Sequence, residues 1–226
     1  MSATLPLASL AVDADNAEPL VAPSAAPLSR PLPPRESVSA ETPDWTRERK
    51  RFWEWAPSRS LLASVRAYQR HAASKAPWSV FLKRLCVLRH RFWSVITAAD
   101  IPLNSRIGGG LVMIHPNGIV IHPRAVIGPN CKIFQQVTIG TAVTEDVPTI
   151  GGNVEVGAGA RLLGGIVIGD HAHIGANAVV IADVPAGATA VGVPARIARI
   201  RRPSDSGISE KTAAAWEPSY GGRTPE

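Results

Sequence analysis

A chain of 226 residues, 45% of them hydrophobic, can bury one sizeable core with appendages. Its two cysteines, Cys86 and Cys131, offer no zinc spacing and no disulfide framework, and no apolar run reaches the roughly 18 residues of a bilayer-spanning helix. The net charge of +6 is local: residues 1–44 balance to −4, residues 45–91 to +10 and the remainder to zero, so basicity is not a property of the whole fold.

Residues 1–43 are rich in Ala, Pro and Ser, with no aromatic residue and no sustained period, and are expected to be disordered. They show neither the basic n-region nor the apolar h-region of a secretory signal, and Asp13, Asp15 and Glu18 argue against a transit peptide. A cytoplasmic protein is the expectation.

Residues 44–98 read as an α-helical region. Asp44 caps "WTRERKRFWEW", Pro57 ends that turn, and Ser58 or Ser60 caps "LLASVRAYQRHAASK". Pro77 stands near the start of "WSVFLKRLCVLRHRFWSVIT". There Val80, Leu82, Leu85, Val87, Leu88, Phe92 and Val95 form an apolar face beside Lys83, Arg84, Arg89 and Arg91. A basic amphipathic helix can lie on anionic lipid or bind nucleic acid. No aromatic–basic platform or nucleic-acid motif accompanies it, so the apolar face is expected to pack on the neighbouring domain. Nucleic acid is not an expected partner; peripheral membrane contact stays open.

From residue 99 to residue 202 internal repetition sets the fold. Steps of six from Ile101 reach Ile107, Met113, Ile119, Ala125, Cys131 and Val137. They resume at Ile150 and reach Val156, Leu162, Ile168, Ile174, Val180 and Ala186, every one apolar and none aromatic. A second column follows at Val154, Ala160, Ile166, Ala172, Ala178, Val184 and Ala190, and glycine recurs at Gly108, Gly151, Gly157, Gly169, Gly175 and Gly187. A period of six is neither helical nor simple strand alternation. It suits a short strand and a tight bend, three times per triangular coil, with glycine at corners of unusual backbone dihedrals. The fold class is mainly β after an N-terminal helical region: a parallel β-helix of hexapeptide repeats. From Val137 to Ile150 the spacing is one residue more than two hexads, so the chain leaves the repeat at "TAVTEDVPT". Residues 203–226 read as a flexible tail.

The repeats, with "HPNGIVI", "QQVTIG", "VGAGARLLGGIVIG", "IGANAVV" and "GVPARI", resemble the serine acetyltransferase branch of the hexapeptide acyltransferases. The resemblance implies a left-handed β-helix, an exception to the right-handed crossover rule. It implies homotrimers, often paired into hexamers as dimers of trimers, with acetyl-CoA as co-substrate in grooves between neighbours and no metal. The implied reaction is acetylation of L-serine to O-acetylserine, in cysteine biosynthesis. His115, in "His-Pro-Asn-Gly-Ile-Val", matches the family's catalytic base, and Asp100, in "Asp-Ile", its supporting carboxylate. Imidazole suits general-base activation of an alcohol, and a carboxylate on its other nitrogen fixes the tautomer. In an 18-residue coil Asp100 would stack below Gly118, three residues from His115. Ala158, Ala176 and Gly140 match positions along the pantetheine groove. Arg196, Arg199, Arg201 and Arg202 are placed to meet CoA phosphates.

At the acceptor end the chain departs from the pattern. Ile114 stands where serine-specific members carry an acid, and Asp146-Val147 where they carry an arginine–histidine pair. A sugar hydroxyl, as in exopolysaccharide or capsule acetylation, is therefore the alternative acceptor. Glu226 replaces the terminal isoleucine of members that dock into cysteine synthase, so no stable complex of that kind is expected. His122 reads as a corner residue, and His71 and His90 as surface or packing residues. His171 and His173 could join a third ligand in a zinc-dependent carbonic-anhydrase-like hydratase, the lesser reading beside a non-catalytic assembly protein.

Overall fold

In the computed structural model, residues 38–200 are described except 52, 73–75 and 77, and side chains are described only to residue 198. The expectations for residues 1–37, Pro77, Arg201, Arg202 and the tail, and for the side chain of Arg199, lie outside the described residues. The chain forms a 3₁₀ turn (Trp45–Glu48), helices α1 (Pro57–Ala72) and α2 (Ser79–Thr97), and then short strands wound into a left-handed parallel β-helix.

Three sheets make the triangular wall. The first stacks β1 (Arg106–Ile107), β4 (Val126–Ile127), β7 (Thr149–Ile150) and β10 (Val167–Ile168). The second stacks β2 (Val112–Met113), β5 (Lys132–Ile133), β8 (Glu155–Val156), β11 (His173–Ile174) and β13 (Ala188–Gly192). The third stacks β3 (Val120–Ile121), β6 (Thr138–Gly140), β9 (Arg161–Leu163) and β12 (Val179–Val180). Each strand turns one aliphatic side chain inward, and a second buried residue lies two positions before it, so the interior is a stack of Ile, Val, Leu and Ala.

The register corrects the expected columns. Ile107 pairs with Ile127, Ile127 with Ile150, and Ile150 with Ile168, so successive coils take 20, 23 and 18 residues. Two extra residues enter between Met113 and Ile121, at the turn carrying His115. The strand column therefore continues through Ile121, Ile127, Ile133 and Ile139, and the series Ile119, Ala125, Cys131 and Val137 belongs to the second column. Five more residues leave between Ile139 and Ile150.

Glycine's role also differs from the expectation. Of the six repeat glycines, only Gly187 has a positive φ (68°). At Gly108, Gly157 and Gly169 an added Cβ would meet backbone of the next coil at 2.4–2.6 Å; close stacking, not dihedral freedom, excludes a side chain there. The left-handed corners are filled largely by other residues. Gly110, Asn130, Asn153, His171 and Gly187 stack at one corner, and Gly118, Gln136, Gly159 and Asn177 at another; the N–H of each except Gly110 reaches a backbone carbonyl of the turn before it, and Gly110 N–H reaches the Glu48 carboxylate.

The first coil and the far end of the second sheet are covered. At the start, Arg66 of α1 donates to the carbonyls of Ile107 and Gly108 (2.6 Å each), and Gln69 donates to those of Leu103 and Ser105. Glu48 accepts from the N–H groups of Gly110 and Leu111 and pairs with Arg66 at 3.0 Å, both side chains being largely buried. Leu61 and Leu62 join the same core. At the far end, β14 (Ala195–Ile200) pairs antiparallel with β13.

Three helical expectations are corrected. Asp44 does cap, accepting from Thr46 N–H at 2.9 Å, but the turn it starts is only the 3₁₀ segment. Pro57 begins α1 instead of ending a helix, since a missing N–H costs nothing in the first turn, and Ser58 and Ser60 lie inside α1. On α2 the apolar face expected to pack inward is turned out. Val80, Leu85, Leu88, Phe92 and Val95 are exposed, whereas Ser79, Cys86 and Thr97 are buried. Residues 38–43, placed in the disordered segment by composition, lie against the β-helix: Asn130 donates to Ser39 and Thr42 carbonyls (2.7 Å each), and Asn153 to that of Val38.

Candidate active site

His115 lies on the two-residue excess between β2 and β3. The turn is pinned on both sides: Ile114 N–H reaches Ile133 C=O (2.9 Å), Gly118 N–H reaches Ala98 C=O (2.8 Å), and Gln136 N–H reaches Asn117 C=O (2.8 Å). The imidazole is exposed, and the backbone is left-handed at φ 50°. Seven non-glycine residues share positive φ among the described residues. Ala98 ends α2, and five others fill the stacked corners; His115 belongs to neither group. Its conformation is local to the excess turn, and unusual backbone held by its surroundings is a mark of functional positions.

Asp100 follows α2 directly. Its N–H reaches Ile119 C=O (2.8 Å) and its carbonyl accepts from Ile121 N–H (3.0 Å), so it bridges in parallel to Val120 instead of Gly118. The two extra residues in that coil cause the difference. Asp100 and His115 are both exposed, and no hydrogen bond or ion pair joins them among the described residues. The Asp100 charge acts on His90 instead, a packing residue bonded to Ser64. Burial lowers the His90 proton affinity, and the Ile101 carbonyl and Asp100 oppose that shift.

The groove positions fall in two places. Ala158 and Ala176 stack one coil apart at the corner between the second and third sheets, joined by Asn177 N–H to Ala158 C=O (2.7 Å). Gly140, at the far end of β6, has open space where a Cβ would point, and Arg196 is exposed on β14. One group that sequence reasoning missed is Gln135. Its carbonyl accepts from Gly159 N–H on the Ala158 corner, and its side-chain Oε1 is buried without a hydrogen-bond partner among the described residues. An ordinary glutamine in a polar pair carries no sequence signal for this.

At the acceptor end, Ile114 and Val147 are half-buried and Asp146 is exposed. The excursion after β6 folds back on the next coil, with Ala142 against Gly164 and Asp146 against Gly165, while Arg124 donates to the Glu145 carbonyl. His171 and His173 diverge. His171 sits at the corner with its Nδ1 3.0 Å from Asn153 Nδ2, and His173 faces Glu155 on the second sheet. Among the described residues no group of three His, Cys, Asp or Glu could hold a metal ion.

Residues 148–182 match the family described as bacterial transferase hexapeptide (six repeats). A serine acetyltransferase of Synechococcus elongatus is 42% identical over 106 residues, covering 46% of this chain and 43% of its own. The serine acetyltransferase structure from Vibrio cholerae superposes with a TM-score of 0.56 at 33% identity, over 68% of this chain and 60% of that one. Another serine acetyltransferase, solved in complex with CoA, gives 0.52 at 36% identity, over 63% and 57%. The chain thus spans about half the length of the relatives it matches. The resemblance to the serine acetyltransferase branch of the hexapeptide-repeat acyltransferases is borne out over the β-helix.

Proposed function

We propose that this chain is an acetyl-CoA-dependent O-acetyltransferase of the serine type, making O-acetylserine for cysteine biosynthesis. The observation that carries the reading is His115: an exposed imidazole on a pinned turn, left-handed outside the stacked corners. Among the described residues no hydrogen bond ties its ring, which suits a general base. The imidazole takes the acceptor hydroxyl proton as oxygen attacks the thioester carbonyl. The tetrahedral intermediate then expels the CoA thiolate, which recovers the proton from the imidazolium. Asp100 acts as the orienting carboxylate, closing on His115 when the acceptor binds, because catalytic hydrogen bonds are often long in free enzymes.

The pantetheine arm runs past the small side chains of Ala158 and Ala176 and the open space at Gly140, with Arg196 on the phosphates; the CoA-bound relative supports this use of the shared fold. The catalytic unit is the β-helix of residues 99–202, carried on the helical region 44–98. It works as a homotrimer or dimer of trimers, with Gln135 Oε1 among the groups a neighbour or the co-substrate would satisfy. A reducing cytoplasm suits the buried free thiols of Cys86 and Cys131.

A second reading is favoured by the acceptor end. Ile114 cannot pair with an ammonium and Val147 cannot bond a carboxylate, while Asp146 would repel one, and an unpaired buried charge costs several kcal/mol. A sugar hydroxyl needs neither partner. Following CoA thiol release with L-serine and with a sugar panel decides between the two. His115→Ala should lower transfer by about 10²–10⁴-fold with CoA binding intact; full activity in that variant removes His115 from the mechanism. Ile114→Asp with Asp146→Arg and Val147→His should raise kcat/KM for serine. Efficient serine use by wild type, only harmed by these changes, sinks the sugar reading.

A further inference from the structure

Helix α2 carries an apolar stripe that is exposed among the described residues. Trp78, Phe81, Leu85, Leu88, Phe92 and Val95 recur at alternating steps of three and four, a single helix face. Their exposure runs from 52% at Leu85 to 80% at Val95. The opposite face, with Cys86, His90, Trp93 and Thr97, is the one packed on the rest of the protein.

The charges beside the stripe are of one sign. Arg84 and Arg91 precede stripe residues, Arg89 follows one, all three are exposed, and α2 contains no acidic residue. A second copy of this helix would bring arginine against arginine in either orientation, which works against self-pairing. An aromatic and aliphatic face rimmed by arginine complements a surface that is apolar within and anionic at its edge. No described helix is long and apolar enough to cross a membrane, so the contact would be interfacial.

We propose that this face of α2 docks on the surface of an anionic lipid bilayer, its apolar stripe in the headgroup–acyl boundary and its arginines on lipid phosphates. Docking does not depend on the acetyl-transfer reading, since vesicle binding and thiol release are separate measurements.

The test is flotation of the full chain with phosphatidylcholine vesicles, with and without about one third phosphatidylglycerol. Wild type should float with the anionic vesicles and much less with the neutral ones. Arg84→Gln, Arg89→Gln and Arg91→Gln together should weaken binding by about 100-fold, at about 1 kcal/mol per basic side chain near the surface. Leu88→Ser with Phe92→Ser should abolish it; both changes are at exposed positions and leave the packed face intact. Three outcomes overturn the proposal. Wild type could remain unbound to either vesicle type. The serine variant could bind vesicles as well as wild type while losing its oligomeric state, which would assign the stripe to another copy of the chain. Nucleic acid could bind through the arginines while anionic vesicles do not.

Discussion

Replacing Gly128 by alanine tests whether the wall of the β-helix is stacked too closely for side chains at its glycine corners. The added methyl would meet Gly151 C at 2.4 Å and Gly151 O at 2.5 Å, about 1 Å inside the 3.4 Å where ordinary contact begins. Both neighbours are backbone, so no rotamer change absorbs the clash. Separating the coils stretches Gly128 N–H to Ile150 C=O (2.8 Å) and Val126 N–H to Pro148 C=O (3.2 Å). Overpacking costs about 1–3 kcal/mol and each weakened hydrogen bond about 1 kcal/mol, against about 0.4–1 kcal/mol regained from a stiffer unfolded chain. The expected net loss is about 2–4 kcal/mol, read as a lower urea midpoint at unchanged m and fixed protein concentration. Gly140→Ala is the control, because its methyl points into open space, and its stability should stay within about 0.5 kcal/mol of wild type. A Gly128→Ala protein as stable as that control would refute the close-stacking account.

Arg66→Met should cost about 3–5 kcal/mol in the same assay, because it leaves the Glu48 carboxylate buried without its cation; adding Glu48→Gln should recover part of the loss. Burial lowers the proton affinities of His90 and His171 from the ordinary 6.5, so below that pH the unfolded chain binds more protons than the native one. Stability should therefore hold above pH 6.5 and decline as pH falls toward the native values; denaturant midpoints across that range check it, and His171→Asn should flatten the slope. Burial pushes the Cys131 thiol up to about 12, so iodoacetamide should spare it in the native protein at about pH 9 and modify it once urea unfolds the chain.

The sixfold recurrence of small aliphatics made the β-helix legible, because a narrow interior accepts one inward side chain per strand and no aromatic residue. Period alone could not say which of two buried columns a residue occupied. Ile119, Ala125, Cys131 and Val137 keep perfect spacing while a two-residue excess moves the strand column to Ile121. Glycine recurrence was visible, but its cause lies in the distance between coils, which no single coil encodes. On α2 both faces contain apolar residues, so amphipathicity favoured the wrong one: the packed side is lined by Ser79, Cys86 and Thr97. The strap at 38–43 is held mostly through its own carbonyls by Asn130 and Asn153, and a backbone acceptor leaves no mark in composition. His115 and Asp100 were legible as a motif; the two-residue excess in the turn that carries His115 was not.

The coverings at the two ends bear on how such a wall can change length over evolution. Arg66, Gln69 and Glu48 answer the polar groups of the first coil, and β14 covers the last strand of the second sheet, so the coils beyond the strap held by Asn130 and Asn153 carry no such caps. Successive strands in each sheet pair in the same parallel register. A whole coil duplicated between β10 and β12 would find its partners already in place, whereas a part-coil would rotate everything beyond it by one or two faces. Variation in height is therefore quantised in whole coils.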